Sequence, residues 1–135
     1  MPVIAKNPEK IILLVDDEIE NLRVYEEILR DLHYRVYVRS DADAAIDLLA
    51  EGVHVDLVVS DYRMPVKNGL EFVTELRRMR PFVPVIMLTA YGDIETYLRS
   101  SSLGVFEYIH KPISKEEFER IVRTALHDGN ERQAG

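Results

Sequence analysis

The most informative segment for the fold is Ile11-Ile12-Leu13-Leu14-Val15-Asp16-Asp17-Glu18, in which an uninterrupted apolar run stops abruptly at three acidic residues. A short, continuous apolar run of this kind is typical of a strand that is buried on both faces of a parallel sheet. The runs Leu57-Val58-Val59 and Val85-Ile86-Met87-Leu88 repeat the pattern. These three runs therefore predict the central strands of a parallel sheet.

Amphipathic stretches separate these runs and predict helices. Apolar residues recur three or four positions apart, as one face of a helix requires, in the sets Leu22, Tyr25, Leu29, Leu32 and Leu70, Val73, Leu76, Met79. Residues 42–50 are rich in good helix formers. Ser114 and Glu117 form a capping-box pattern that predicts the start of a last helix. The helix predicted after Asp93 is the weakest, because it contains three consecutive serines.

Two more mixed runs, residues 34–38 and 105–109, predict strands nearer the sheet edges. Five strands in strict alternation with five helices predict an α/β fold with a doubly wound parallel sheet. Right-handed crossovers leave few topologies, and the flavodoxin-like order 2-1-3-4-5 is the one we predict.

Length and composition indicate one domain. The chain has 135 residues, 47% of them apolar and 30% charged, and a formal charge of −7. We predict a flexible leader at residues 1–9, one domain at 10–128 and a flexible tail at 129–135. The acidic balance argues against direct nucleic-acid binding, and no apolar run is long enough to predict a membrane span. Cysteine is absent, which excludes thiolate sites and suits a cytoplasmic location.

Polar residues follow the predicted strands at the points where the apolar runs stop. Asp16 and Asp17 follow the first strand, Asp61 ends the third, Thr89 ends the fourth and Lys111 follows the fifth. The carboxyl ends of parallel strands meet at one edge, where open α/β sheets bind their ligands. A single Asp here could be a helix N-cap or a loop residue, but the full set is hard to obtain by accident.

The clustered carboxylates need a compensating charge, since like charges at short range disfavour ionisation. Mg²⁺ fits best, because it prefers oxygen ligands and is usually held by one or two carboxylates together with a phosphoryl oxygen. Lys111 adds a positive charge and Thr89 a hydroxyl donor. The sequence therefore predicts a magnesium-dependent site for a phosphoryl group.

These motifs resemble the receiver domain of two-component response regulators, over about residues 10–126. The resemblance rests on the segments Val15-Asp16-Asp17-Glu18, Ser60-Asp61-Tyr62-Arg63-Met64-Pro65 with Asn68-Gly69, Leu88-Thr89-Ala90, and Tyr108-Ile109-His110-Lys111-Pro112. Phe106-Glu107-Tyr108 is similar to receivers of nitrogen-regulation-type transcription activators. Because no output domain follows the last helix, we expect either a stand-alone receiver or a piece of a longer regulator.

The resemblance implies a role for each matched residue. Asp61 would be the nucleophile that takes a phosphoryl group from a phosphohistidine on a histidine kinase or a phosphotransfer protein. Asp17, Asp61 and the Arg63 carbonyl would bind Mg²⁺ directly, and Asp16 through water. Lys111 would pair with Asp61 and then with the phosphoryl group.

The resemblance also implies a signalling switch rather than an enzyme acting on a separate substrate. Thr89 and Tyr108 would be the switch residues, Lys111-Pro112 would be a cis peptide, and Arg63 and Tyr91 would flank the water that ends the signal. A downstream protein or output domain and a phosphorylation-dependent homodimer are the further partners implied.

Three alternative functions have less support in the sequence. A haloacid-dehalogenase-like phosphatase needs a second Asp two positions after its nucleophile, where this chain has Arg63. An FMN carrier needs a phosphate-cradling first loop, which Asp16, Asp17 and Glu18 would oppose by repulsion. An interaction module that has lost phosphorylation would be expected to lack part of the site, and nothing is missing.

Overall fold

The structure is a computed structural model that describes residues 9–89 and 104–134, without the side chains of 128–134. Three predictions lie outside these residues: most of the flexible leader, the helix predicted after Asp93, and the placement of Tyr91.

Five parallel strands form one sheet in the order β2-β1-β3-β4-β5, as predicted. The strands are β1 (Ile11–Val15), β2 (Arg35–Arg39), β3 (Leu57–Asp61), β4 (Val85–Thr89) and β5 (Glu107–His110). The two outer strands are the two mixed runs of the sequence. β3 and β4 extend beyond their apolar runs, so Asp61 and Thr89 are the last residues of their strands.

The described residues contain four helices, and the fifth predicted helix falls outside them. The helices are α1 (Ile19–Asp31), α2 (Ala42–Ala50), α3 (Gly69–Met79) and α4 (Lys115–Ala134). The Ser114 hydroxyl accepts the Glu117 backbone N–H at 3.1 Å, as the capping pattern predicts. α4 continues past the predicted domain boundary at 128 and gives most of the predicted flexible tail, 129–135, a helical backbone.

The core has two halves, one on each face of the sheet. Successive side chains of a strand point to opposite faces. Ile12 and Leu14 accordingly pack with α1 and α4, and Leu13 and Val15 pack with α2 and α3. A strand covered on both faces needs apolar residues at every position, which is why this run of sequence is continuous.

The register of the sheet brings the ends of its central strands together. Val15 pairs with Ser60 across β1 and β3, and Asp61 pairs with Leu88 across β3 and β4. Asp16, directly after β1, therefore lies beside Asp61 at the carboxyl edge. In the ranges 9–89 and 104–134, no helix combines the length and the apolar character needed to cross a bilayer.

Candidate functional site

Three carboxylates meet at the carboxyl edge of the sheet. Asp16, Asp17 and Asp61 each place one oxygen so that all three oxygens lie within 4.8 Å of one another. Asp16 and Asp61 are buried, whereas Asp17 is exposed. Two of the carboxylates are therefore held in the core, while the third is in contact with solvent, as a site that exchanges ligands requires.

Lys111 provides the positive charge of this cluster. Its Nζ lies 2.6 Å from Asp61 Oδ1 and 3.8 Å from Asp16 Oδ2. Its backbone N–H donates to the Thr89 carbonyl at 2.7 Å, which fixes the start of the loop after β5. The Lys111-Pro112 peptide is cis, as the resemblance implied. The ammonium group thus contacts the carboxylate that, by the resemblance, would be the nucleophile.

The two oxygens of Asp16 have different surroundings. Oδ1 accepts the backbone N–H of Glu18 at 2.9 Å, which holds the carboxylate in place. Oδ2 is buried and accepts no hydrogen bond. A buried carboxylate oxygen without a hydrogen bond is costly unless a cation compensates it. The three carboxylates together supply hard oxygen donors that suit Mg²⁺ or a similar cation, so the residues present fit the metal that the resemblance implies.

Burial shapes the ionisation of the site. It raises the pKa of Asp16, with the nearby Asp61 charge acting in the same direction and the Glu18 backbone N–H against it. It also raises the pKa of Asp61, partly offset by the hydrogen bond from Lys111. Burial alone would lower the pKa of Lys111, but its hydrogen bond and charge interaction with Asp61 raise it instead. Lys111 balances only part of the negative charge of the three carboxylates, so a divalent cation would favour their ionised forms.

The other predicted site residues are distributed around this cluster. Thr89 is buried at the end of β4, beside Lys111. Tyr108 is also buried, and its ring lies 6.0 Å from the ring of His110. Arg63 is exposed in the loop that follows Asp61. Seven of the eight predicted site residues are described. Six of them lie at or next to the carboxyl edge, and Tyr108 lies two residues before the end of β5.

Lys67 is a further charged residue of interest that the sequence pattern did not reveal. Lys67, in the loop between β3 and α3, contacts Asp43 of α2 at 2.8 Å and Glu75 of α3 at 2.5 Å. Asp43 is 24 positions away in sequence, so no local pattern could reveal the contact. The sequence predicts the alternation of strands and helices, but it could not give contacts between side chains of different helices.

Comparison with known proteins agrees with this geometry. Residues 12–123 match the family described as response regulator receiver domain. The chain is 33% identical to the regulatory protein AtoC of Escherichia coli over 85% of its own length and 25% of the relative's. It is 37% identical to a probable transcriptional regulator, ycf27, of Cyanophora paradoxa over 87% of its own length and 48% of the relative's. It thus spans between a quarter and a half of these relatives.

Solved structures show the same fold. A CheY-like response regulator receiver domain protein from Methanospirillum hungatei superposes with a TM-score of 0.87 at 26% identity, covering 92% of this chain and 98% of that one. The family match extends over most of the chain and includes the acidic pair, Asp61, Thr89 and Lys111. The chain therefore belongs to the response regulator receiver domains, the signalling switches of two-component systems.

Proposed function

We propose that this chain is switched by phosphorylation of Asp61, with a divalent cation held by the acidic cluster. The observation that carries the proposal is the 2.6 Å contact between Lys111 Nζ and Asp61 Oδ1 inside a cluster of three carboxylates. A lysine and a cation around a carboxylate nucleophile supply the charge stabilisation that phosphoryl transfer requires.

The phosphoryl donor we propose is a phosphohistidine on a sensor histidine kinase or a phosphotransfer protein. A carboxylate oxygen of Asp61 forms a bond to phosphorus as the N–P bond of the phosphohistidine breaks. The imidazole leaves with the electron pair of that bond and takes up a proton. Asp61 is buried and is the last residue of β3, so we expect a partner to approach from the carboxyl edge of the sheet.

The residues that would hold Mg²⁺ are Asp17, Asp61 and the backbone carbonyl of Arg63, with Asp16 acting through water. When bound, the cation neutralises negative charge on the carboxylates and on the incoming phosphoryl oxygens. The buried Oδ2 atom of Asp16, which accepts no hydrogen bond, supports a cation or its water at this point.

Lys111 and the switch residues would respond to the new group. A phosphoryl group on Asp61 adds a charge of about −2 and new acceptor oxygens. We propose that Lys111 then pairs with the phosphoryl group and that the Thr89 hydroxyl donates to one of its oxygens. The Tyr108 side chain, whose ring is buried in this structure, would change its position at the same time. This movement would alter the surface offered to a downstream protein, an output domain or a second copy of the chain.

The signal would end by hydrolysis of the acyl phosphate by the chain itself. We propose that Arg63 and Tyr91 flank the water that attacks phosphorus opposite Asp61. Arg63 is exposed in the loop after Asp61, and a planar guanidinium is well suited to pairing with phosphoryl oxygens.

Incubation with Mg²⁺ and a small phosphoramidate donor, followed by intact-mass measurement, tests the proposal. The wild-type chain should gain one phosphoryl group, and Asp61→Asn should gain none, because the amide is not a nucleophile. Asp47→Asn is the matched control, since Asp47 is exposed on α2, and it should label like wild type. Equal labelling of Asp61→Asn and wild type would place the acceptor elsewhere, and no labelling of wild type would reject the proposed function.

A further inference from the structure

The loop between β3 and α3, residues 62–68, is fixed at both ends next to Asp61. The Tyr62 backbone N–H donates to the Leu88 carbonyl at 2.8 Å, and the Gly69 N–H donates to the Tyr62 carbonyl at 2.7 Å. A Cβ atom at Gly69 would lie 2.9 Å from the Asp61 carbonyl oxygen and 2.5 Å from Met87 Sδ. The two ends of the loop are therefore packed against β3, which carries Asp61, and its neighbour β4.

The middle of this loop has an unfavourable backbone conformation. Val66 has a φ of 68°, in the left-handed region that β-branched residues rarely adopt. The Lys67 N–H donates to the Pro65 carbonyl at 2.8 Å, which closes a tight turn around Val66. The Val66 side chain is 92% exposed, so its own packing does not hold this turn. Another interaction must maintain it.

The Lys67 side chain is placed to do so. Its ammonium group lies between Asp43 Oδ1, at 2.8 Å, and Glu75 Oε1, at 2.5 Å. Asp43 belongs to α2 and Glu75 to α3, so the contacts tie the loop to two helices that pack on the same face of the sheet. The hydrogen bonds to Asp43 and Glu75 raise the pKa of Lys67 above its ordinary value.

We propose that Lys67 is a positioning residue for cation binding. By holding the turn at Val66, it keeps the main chain of residues 63–65 in place and with it the Arg63 carbonyl. The inference rests on the proposed function, in which that carbonyl is a magnesium ligand. Lys67 itself contacts neither the three carboxylates nor, on this proposal, the phosphoryl group.

Charge and positioning predict opposite effects when Lys67 is replaced. Lys67→Met removes a positive charge and leaves Asp43 and Glu75 unpaired, so electrostatics alone would raise the affinity of the acidic cluster for Mg²⁺. Loss of positioning lowers that affinity by about tenfold, the low end of the effects seen when groups that orient metal ligands are removed. The direction of the change therefore identifies the role.

The test is a magnesium titration of wild type, Lys67→Met and Lys67→Arg, followed by NMR or calorimetry. Lys67→Arg should bind within about twofold of wild type, because a guanidinium can pair with both carboxylates. Lys115→Met is the matched control: it removes a lysine that pairs with Glu119 on α4, a helix that packs on the opposite face of the sheet from α2 and α3. Amide exchange of residues 66–69 in the magnesium-free proteins provides a second readout, and Lys67→Met should accelerate it.

A double variant separates positioning from general damage. Glycine adopts a positive φ without strain, so Val66→Gly should restore most of the magnesium affinity to Lys67→Met. Unchanged or higher magnesium affinity in Lys67→Met, or an equal loss in Lys115→Met, would overturn the positioning role while leaving the proposed function intact. Failure of wild type to bind Mg²⁺ would reject the proposed function as well. In that case, faster exchange at residues 66–69 in Lys67→Met would still support a role for Lys67 in holding the loop, whereas unchanged exchange would reject that too.

Discussion

Replacing Asp16 by Asn is expected to stabilise the magnesium-free protein at neutral pH. The substitution keeps the side-chain oxygen that accepts the Glu18 N–H. It replaces the buried Oδ2 atom, which accepts no hydrogen bond, by an amide donor. It also removes one negative charge from a cluster of three.

The size of the effect follows from the distances. At an effective dielectric constant of about 20, two like charges 4.8 Å apart, the upper limit within this cluster, repel by ~3.5 kcal/mol. Lys111, 3.8 Å from Asp16, attracts it by ~4 kcal/mol. The repulsions from Asp17 and Asp61 together exceed this attraction by ~2–3 kcal/mol. Because Asp17 is exposed, solvent screens its share, and we expect a gain of about 1–2 kcal/mol.

The gain should depend on pH in a defined direction. The folded-state pKa of Asp16 lies above its ordinary value of 3.8, chiefly because of burial. The protonated carboxyl therefore favours folding, and this contribution is complete below the ordinary pKa and is lost as the pH rises through the raised one. The advantage of Asp16→Asn should be small near pH 3 and largest at pH 7.

Urea denaturation followed by circular dichroism, with EDTA present, measures the free energy of unfolding at both pH values. A gain of 1–2 kcal/mol corresponds to a rise in Tm of roughly 4–8 °C. Asp47→Asn serves as the control and should stay within about 0.5 kcal/mol of wild type. Destabilisation of Asp16→Asn at pH 7, or an equal gain at both pH values, would refute this description of the cluster.

Three further substitutions test other parts of the site. Lys111→Ala should keep most magnesium binding but lose the downstream response, because only the phosphorylated state uses this charge fully; a normal response from the phosphorylated variant would exclude that role. Tyr91→Ala should accelerate the first-order loss of phosphoryl several-fold, roughly a kcal/mol of barrier, and slower loss would show that Tyr91 assists the attacking water. Gly69→Ala should lower the free energy of unfolding by about 1–3 kcal/mol, since its Cβ would lie 2.9 Å from both the Asp61 carbonyl oxygen and Tyr62 Cα; wild-type stability would mean that the loop can shift.

The sheet and the acidic cluster were predictable because both depend only on the spacing of apolar residues and on the order of the strands in the sheet. A continuous apolar run such as residues 11–15 is typical of a strand covered on both faces, as in a parallel sheet. Once the strand order is fixed, Asp16 and Asp61 must meet at one edge. The bounds of α2, Ala42–Ala50, also agree with the sequence, because Asp41 caps that helix by accepting the Ala44 N–H at 2.7 Å.

The loop geometry was not predictable for equally physical reasons. Nothing local marks Val66 for a positive φ, since a β-branched residue normally avoids it. The partners of Lys67 come from two helices whose side-chain positions depend on packing. The extent of α4 was also missed, because residues 129–134 offer no apolar periodicity from which to extend a helix.

Locating the phosphoryl group on the chain tests most directly whether Asp61 is the acceptor. The chain is treated with a phosphoramidate and Mg²⁺, and the acyl phosphate is then trapped with borohydride, which reduces the modified aspartate to homoserine. Peptide mapping by mass spectrometry should find homoserine at position 61 and unmodified aspartate at positions 16 and 17. Homoserine at another position, or none in a sample whose intact mass shows phosphorylation, would contradict the assignment of Asp61 as the acceptor.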